Sequence, residues 1–90
     1  MKVRRHYIFQ GRVQGVGFRI TTYQKANQFR LTGWVRNLTN GDVEACFQGE
    51  EESIKDLVRY MQSIRYIRIE AMEVEDLPVL ESETSFEMKY

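Results

Sequence analysis

An α+β fold, with two helices laid on one face of an antiparallel sheet, is what this sequence predicts, and three observations predict it. A β-prone segment stands before a glycine-rich turn, two segments place apolar residues at helical spacing, and short alternating segments flank the second of these. Ninety residues allow one domain, because domains usually run about 50–200 residues and a chain this short cannot hold two cores. Residues 1–90 are therefore read as a single unit.

The first strand is expected over Val3 to Val13, with Tyr7 and Phe9 on one face and His6 and Ile8 on the other, so that both faces are partly covered. After the turn, Phe18, Thr22, Ala26 and Phe29 recur at helical spacing with Tyr23 beside them, giving a helix from Phe18 to Arg30. Gly33 to Leu38, containing Trp34 and Val35, reads as the second strand, and Asn40 with Gly41 is a pair that favours positive φ in a tight hairpin. The returning strand is Asp42 to Gln48, where Val43, Ala45 and Phe47 share a face and Gly49 closes the run. The second helix is the clearest element. Ile54, Leu57, Val58, Met61 and Ile64 form one apolar stripe, and Glu50, Glu51 and Glu52 place negative charge at its positive N-terminal end. Ile67 to Glu75 alternates as a fourth strand, Pro78 breaks the chain, and Phe86, Met88 and Tyr90 alternate as a last one. The order β-α-β-β-α-β-β contains, in its first six elements, the split βαβ or ferredoxin-like plan, with one extra C-terminal strand. That plan hosts many functions, so function has to come from a site.

Thirteen basic against thirteen acidic side chains give a net charge of zero, which argues against a general nucleic-acid or anionic-membrane binder. The balance is uneven along the chain. Residues 1–45 carry eight basic and two acidic side chains, whereas residues 46–90 carry five basic and eleven acidic, so an anion site belongs in the first half. A single cysteine, Cys46, leaves no internal disulfide, and a single histidine, His6, leaves too few ligands for zinc. No metal or cofactor is expected. The absence of an apolar run of about 18 residues and of a signal peptide makes the cytoplasm the default compartment.

Residues 11–19 read GRVQGVGFR, three glycines in seven residues between a strand and a helix. Glycines let several successive N–H groups turn toward one point, and the helix that follows adds its own free N–H groups and positive dipole end. Arg19, in the first turn, could swing a planar fork over the same bound anion. The other reading is a tight strand-to-helix turn followed by a surface arginine, and glycine spacing alone leaves both open. The segment is neither a Walker loop nor a full dinucleotide fingerprint. Cys46 reads as a small mid-strand hydrophobe, His6 as a sheet residue and Trp34 as core cover. Asn37, Leu38 and Thr39 form a glycosylation sequon that is set aside for want of a secretory signal.

The run GRVQGVGFR at 11–19, then GWVRNLTNGDVEA at 33–45 and QG at 48–49, resembles both signatures of the acylphosphatase family. The likeness is strong over about half the chain and extends to a similar ending, FEMKY. The stretch Ser63 to Ile69 departs from the pattern, lacking the Gly-Pro turn that many members place after the second helix. The resemblance implies a small hydrolase that cleaves the carboxyl–phosphate bond of acyl phosphates, with inorganic phosphate as product. Beside it, the reading of the residues expects a cytoplasmic, metal-independent monomer that inorganic phosphate inhibits, with no nucleic-acid or membrane partner. The resemblance also implies that Arg19 binds the phosphate, that Asn37 positions the attacking water, and that the backbone of Gln14, Gly15, Val16, Gly17, Phe18 and Arg19 forms the phosphate cradle. The alternative is a non-catalytic phosphate- or carboxylate-binding module of the same fold, against which the presence of both Arg19 and Asn37 argues. A ferredoxin-like nucleic-acid or metal-carrier domain is opposed by the neutral charge and the missing CxxC pair. A module of a larger carbamoyl-transfer maturation protein is opposed by the length. No acyl pocket is legible in the sequence.

Overall fold

A computed structural model describes all residues, Met1–Tyr90. The elements are β1 (Lys2–Arg12), α1 (Phe18–Gln28), β2 (Thr32–Asn37), β3 (Val43–Glu50), α2 (Glu51–Ser63), β4 (Arg68–Leu77) and β5 (Phe86–Met88). One sheet holds the strands in the order β4-β1-β3-β2-β5. The four strands β1 to β4 pair antiparallel in the ferredoxin-like arrangement expected, with β1 against β3 and β4 and β2 against β3. The added strand β5 runs parallel to β2. The sheet is thus mixed where an antiparallel one was expected, because β5 reaches β2 after crossing from the opposite edge rather than through a hairpin.

That crossing explains a buried polar residue. The segment 78–85 must pass over β1, β3 and β2 to join the two edges, and it does so on the face away from the helices. There the Gln48 side chain donates to the Leu80 carbonyl at 2.9 Å and accepts from the Leu80 N–H at 2.7 Å. Thr32 Oγ1 donates to Glu83 at 2.8 Å. Gln48 is 1% exposed, and both ends of its amide are satisfied, as burial of a polar group requires.

The core lies between the other face and the helices. Tyr7 and Phe9 of β1, Val43, Ala45 and Phe47 of β3 and the α2 stripe Ile54, Leu57, Val58 and Met61 are buried there. Each large side chain of this set contributes about 1.5–3 kcal/mol on leaving water. Glu51 and Glu52 occupy the first turn of α2, as expected from helix-end electrostatics. Arg5 donates to the Glu51 carboxylate at 2.6 Å, holding it below the usual carboxylate range.

Some boundaries differ from expectation for local reasons. α1 stops at Gln28, because Arg30 turns to φ 60°. Its N–H bonds Asn27 and the Leu31 N–H bonds Ala26, at 3.2 and 2.8 Å, the pairing of a Schellman stop with arginine in the place glycine usually takes. The β2–β3 connection is longer than a two-residue hairpin. Gly41 N–H closes a turn onto Leu38 at 3.2 Å, Asn40 Oδ1 accepts from the Asp42 N–H at 3.0 Å, and only Gly41 of the Asn40–Gly41 pair has positive φ. β3 runs on to Glu50, and its Cys46 and Gln48 are buried beneath the face away from the helices as well. Without a Gly-Pro pair, the chain after α2 turns by an Ile67 N–H bond to Ile64 at 3.1 Å, and β4 starts at Arg68. Tyr90 lies beyond β5. No helix is long and apolar enough to cross a membrane.

Candidate active site

The site lies at the end of the sheet where β1 stops and β2 turns back. A bulge in the β1–β4 pairing falls between Gln10 and Gly11, and the chain then leaves the sheet through residues 13–17 to start α1. Gly15 and Gly17 have φ of 74° and 75°, values that other residues reach only at a cost of about 1 kcal/mol or more. Gly17 is the residue before α1, and its carbonyl accepts the Thr21 N–H at 3.1 Å. None of the N–H groups from Gln14 to Ile20 finds an acceptor in the protein. This is the run of donors that an anion would satisfy.

Gln14 anchors the loop. Its Nε2 donates to the carbonyls of Leu38 and Asp42 at 2.7 and 2.8 Å, tying the glycine turn to the β2–β3 connection beside Asn37. Val16 packs against the core. Neither side chain lines the cavity that forms between the loop and the end of β2. That cavity, of about 230 Å³, is bordered by Val13, Gly15, Gly17, Phe18, Arg19, Ile20, Asn37, Met88 and Tyr90. Five of the seven residues expected at the site, Gly15, Gly17, Phe18, Arg19 and Asn37, thus meet at one concavity.

Arg19 contributes the one charged side chain of that lining. Its Nη1 donates to the Lys89 carbonyl at 2.9 Å, and its guanidinium lies 4.9 Å from the centre of the Tyr90 ring. Asn37 ends β2 opposite Val43. Its carboxamide takes no part in holding the β2–β3 connection, which is fixed by Gln14, Asn40 and backbone bonds. With a donor and an acceptor both uncommitted, it can hold a water in the cavity.

Val13, Ile20, Met88 and Tyr90 were not foreseen as lining residues. The alternation Phe86, Met88, Tyr90 marked a strand, but nothing in it said that the strand would lie parallel to β2 and bring its end to Arg19. The residues set aside earlier are elsewhere. His6 bonds Glu44 at 2.6 Å on the face away from the helices, and Cys46 is buried, its thiol pushed up by that burial.

The model of the acylphosphatase family matches residues 5–88. The chain is 51% identical over 61 residues to the acylphosphatase of Picrophilus torridus, covering 68% of this chain and 75% of that protein. It is 48% identical over 75 residues to that of Pseudomonas paraeruginosa, covering 82% of each. The crystal structure of acylphosphatase from Bacillus subtilis aligns with a TM-score of 0.89 at 30% identity, covering 98% of this chain and 99% of that one. A glycine loop with open N–H groups, an arginine and an asparagine at one cavity, and relatives alike in sequence and fold lead to one conclusion: the chain belongs to the acylphosphatase family of hydrolases.

Proposed function

We propose that this chain hydrolyses the carboxyl–phosphate bond of small acyl phosphates, releasing a carboxylate and inorganic phosphate. The observation that carries the reading is that Gly15, Gly17, Phe18, Arg19 and Ile20, whose N–H groups find no acceptor in the protein, border one cavity together with Asn37. In this reading residues 1–90 act as one catalytic domain, a cytoplasmic monomer that needs no metal.

Phosphoryl transfer through a loose transition state asks a protein mainly for positioning and charge stabilisation. The loop N–H groups and Arg19 hold the three peripheral phosphate oxygens where charge is spread in the transition state. In a related oxyanion setting one such donor is worth about 2.7–4 kcal/mol. Asn37 holds water in line with the bond to be broken. The water oxygen bonds to phosphorus as the bond from phosphorus to the acyl oxygen breaks and its electron pair leaves with the carboxylate. A carboxylate, whose parent acid has a pKa of roughly 4, departs without a general acid. Asn37 is too weak a base to take the water proton, which passes to a phosphate oxygen.

Turnover of benzoyl phosphate by the purified chain tests the reading, with benzyl phosphate as the ester that should resist. Activity should survive EDTA and be inhibited competitively by inorganic phosphate. Phosphate binding without turnover would point instead to a binding module, and activity lost to EDTA and restored by magnesium or zinc would point to metal-assisted chemistry.

A further inference from the structure

We propose that the phosphate cavity continues into an apolar groove between α1 and β5 that holds the acyl group, which makes neutral acyl groups with an extended apolar chain the preferred substrates. This inference rests on the acyl phosphate reading above and names the substrate class of that site. Gly15, Gly17, Arg19 and Asn37 supply the polar end of the cavity, while Ile20 and Met88 form walls of carbon beside it. A second cavity, of about 530 Å³, lies beside β5. Met88 lines both, and Tyr23, Phe86 and Asn27 carry the second one along α1.

The sequence of α1 gives this groove its character. The helix buries Phe18, Thr22 and Ala26 yet leaves Ile20 45% and Tyr23 36% exposed, nearly one helical turn apart. The Tyr23 ring lies 6.4 Å from that of buried Phe86, so the floor of the groove is aromatic. From Ile20 to Asn27 the helix advances about 10 Å, a span that an extended chain of about eight carbons covers. The far end is polar. Asn27, Ser85 and Glu87 border it, with Ser85 Oγ donating to the Glu87 carboxylate at 2.7 Å. A negative charge there opposes an acyl group that carries a second anion. The groove therefore runs from anion site to apolar wall to acidic rim, matching a phosphate with an uncharged apolar tail.

The test is the ratio of kcat/KM for octanoyl phosphate to that for acetyl phosphate. It should be at least tenfold in the parent, fall at least threefold in Tyr23→Ser, and be kept by Tyr23→Phe. A parent ratio within twofold of one, or a ratio unmoved by Tyr23→Ser, overturns the groove while leaving the hydrolase reading intact. If neither substrate turns over, the hydrolase reading fails by itself. The groove is then decided by calorimetry with octanoyl and acetyl phosphonates, which cannot be cleaved. Tighter binding of the octanoyl compound supports it, and equal binding overturns it.

Discussion

Arg19 donates from Nη1 to the Lys89 carbonyl at 2.9 Å, and the N–H of Lys89 in turn donates to Val35 at 2.8 Å. Lys89 is thus a strut between the candidate phosphate ligand and β2, two residues from Asn37. One donor of the guanidinium is committed and the rest of its fork is left for an anion. Arg19→Lys should abolish most phosphate binding, because an ammonium on a flexible stem cannot reproduce both the strut and the fork. Phosphate should raise the melting temperature of the parent and hardly that of the variant, since a ligand stabilises only the state it binds. Equal shifts would make Arg19 a surface residue.

Tyr90 supports the same guanidinium through its ring face, 4.9 Å away. Such a contact is worth about 0.5–1 kcal/mol at an exposed site, and Tyr90 is 94% exposed. Tyr90→Ala should raise KM by about two- to fivefold with the denaturation midpoint unchanged, and Tyr90→Phe should restore it. Failure of phenylalanine to restore KM would show that the hydroxyl, and not the ring, matters.

Glu44 accepts from His6 Nε2 and Arg36 Nε, both at 2.6 Å, on the face away from the helices. Burial acts to raise its carboxyl, but the His6 and Arg36 hydrogen bonds and charges outweigh it and hold the pKa below the usual value. A carboxyl with a lowered folded pKa stabilises the fold above its unfolded pKa, roughly 4.3, and loses that stabilisation as pH falls through the folded value. Glu44→Gln should therefore cost about 1–2 kcal/mol at neutral pH. The gap from the parent should narrow below about pH 5. Urea denaturation across pH checks this, and a gap independent of pH would contradict it.

Gly33 pairs with Phe47 across β2 and β3 at φ 132°, and a Cβ there would run into the backbone of Cys46. Backbone in a central strand cannot move aside cheaply. Gly33→Ala should destabilise by at least ~3 kcal/mol, measured by denaturant midpoint, whereas Gly41→Ala, with open space at the Cβ position, should be limited to the strain of its positive φ.

The sequence carried the fold wherever periodicity was strong. The α2 stripe from Ile54 to Met61 and the alternation of Val43, Ala45 and Phe47 name their own partners, because a buried face repeats at the period of its element. β5 was visible as Phe86 and Met88 but its direction was not, since strand pairing depends on where segment 78–85 crosses and no local residue encodes that. The boundary at Arg30 was hidden because arginine seldom takes the conformation that ends α1. At the candidate site, Arg19 and the glycines stood out by their chemistry and spacing, and Asn37 only through the family resemblance. Gln14 was expected to offer backbone, and its side chain in addition braces the loop, a role that becomes visible only when the β2–β3 connection is brought beside it. The contributions of Ile20, Met88 and Tyr90 depend likewise on the parallel placement of β5.

The division of labour between Arg19 and Asn37 is most directly tested by Asn37→Ala, with kcat for benzoyl phosphate, phosphate affinity by calorimetry and denaturation midpoint measured on one preparation. Removing a group that acts on the attacking water should lower kcat by at least ~100-fold while phosphate affinity persists. The midpoint should hold, because the Asn37 carboxamide has no part in the hydrogen bonds that fix the connection after β2. A fall in stability with kcat per folded molecule unchanged would contradict the account, leaving Asn37 a structural residue at the end of its strand.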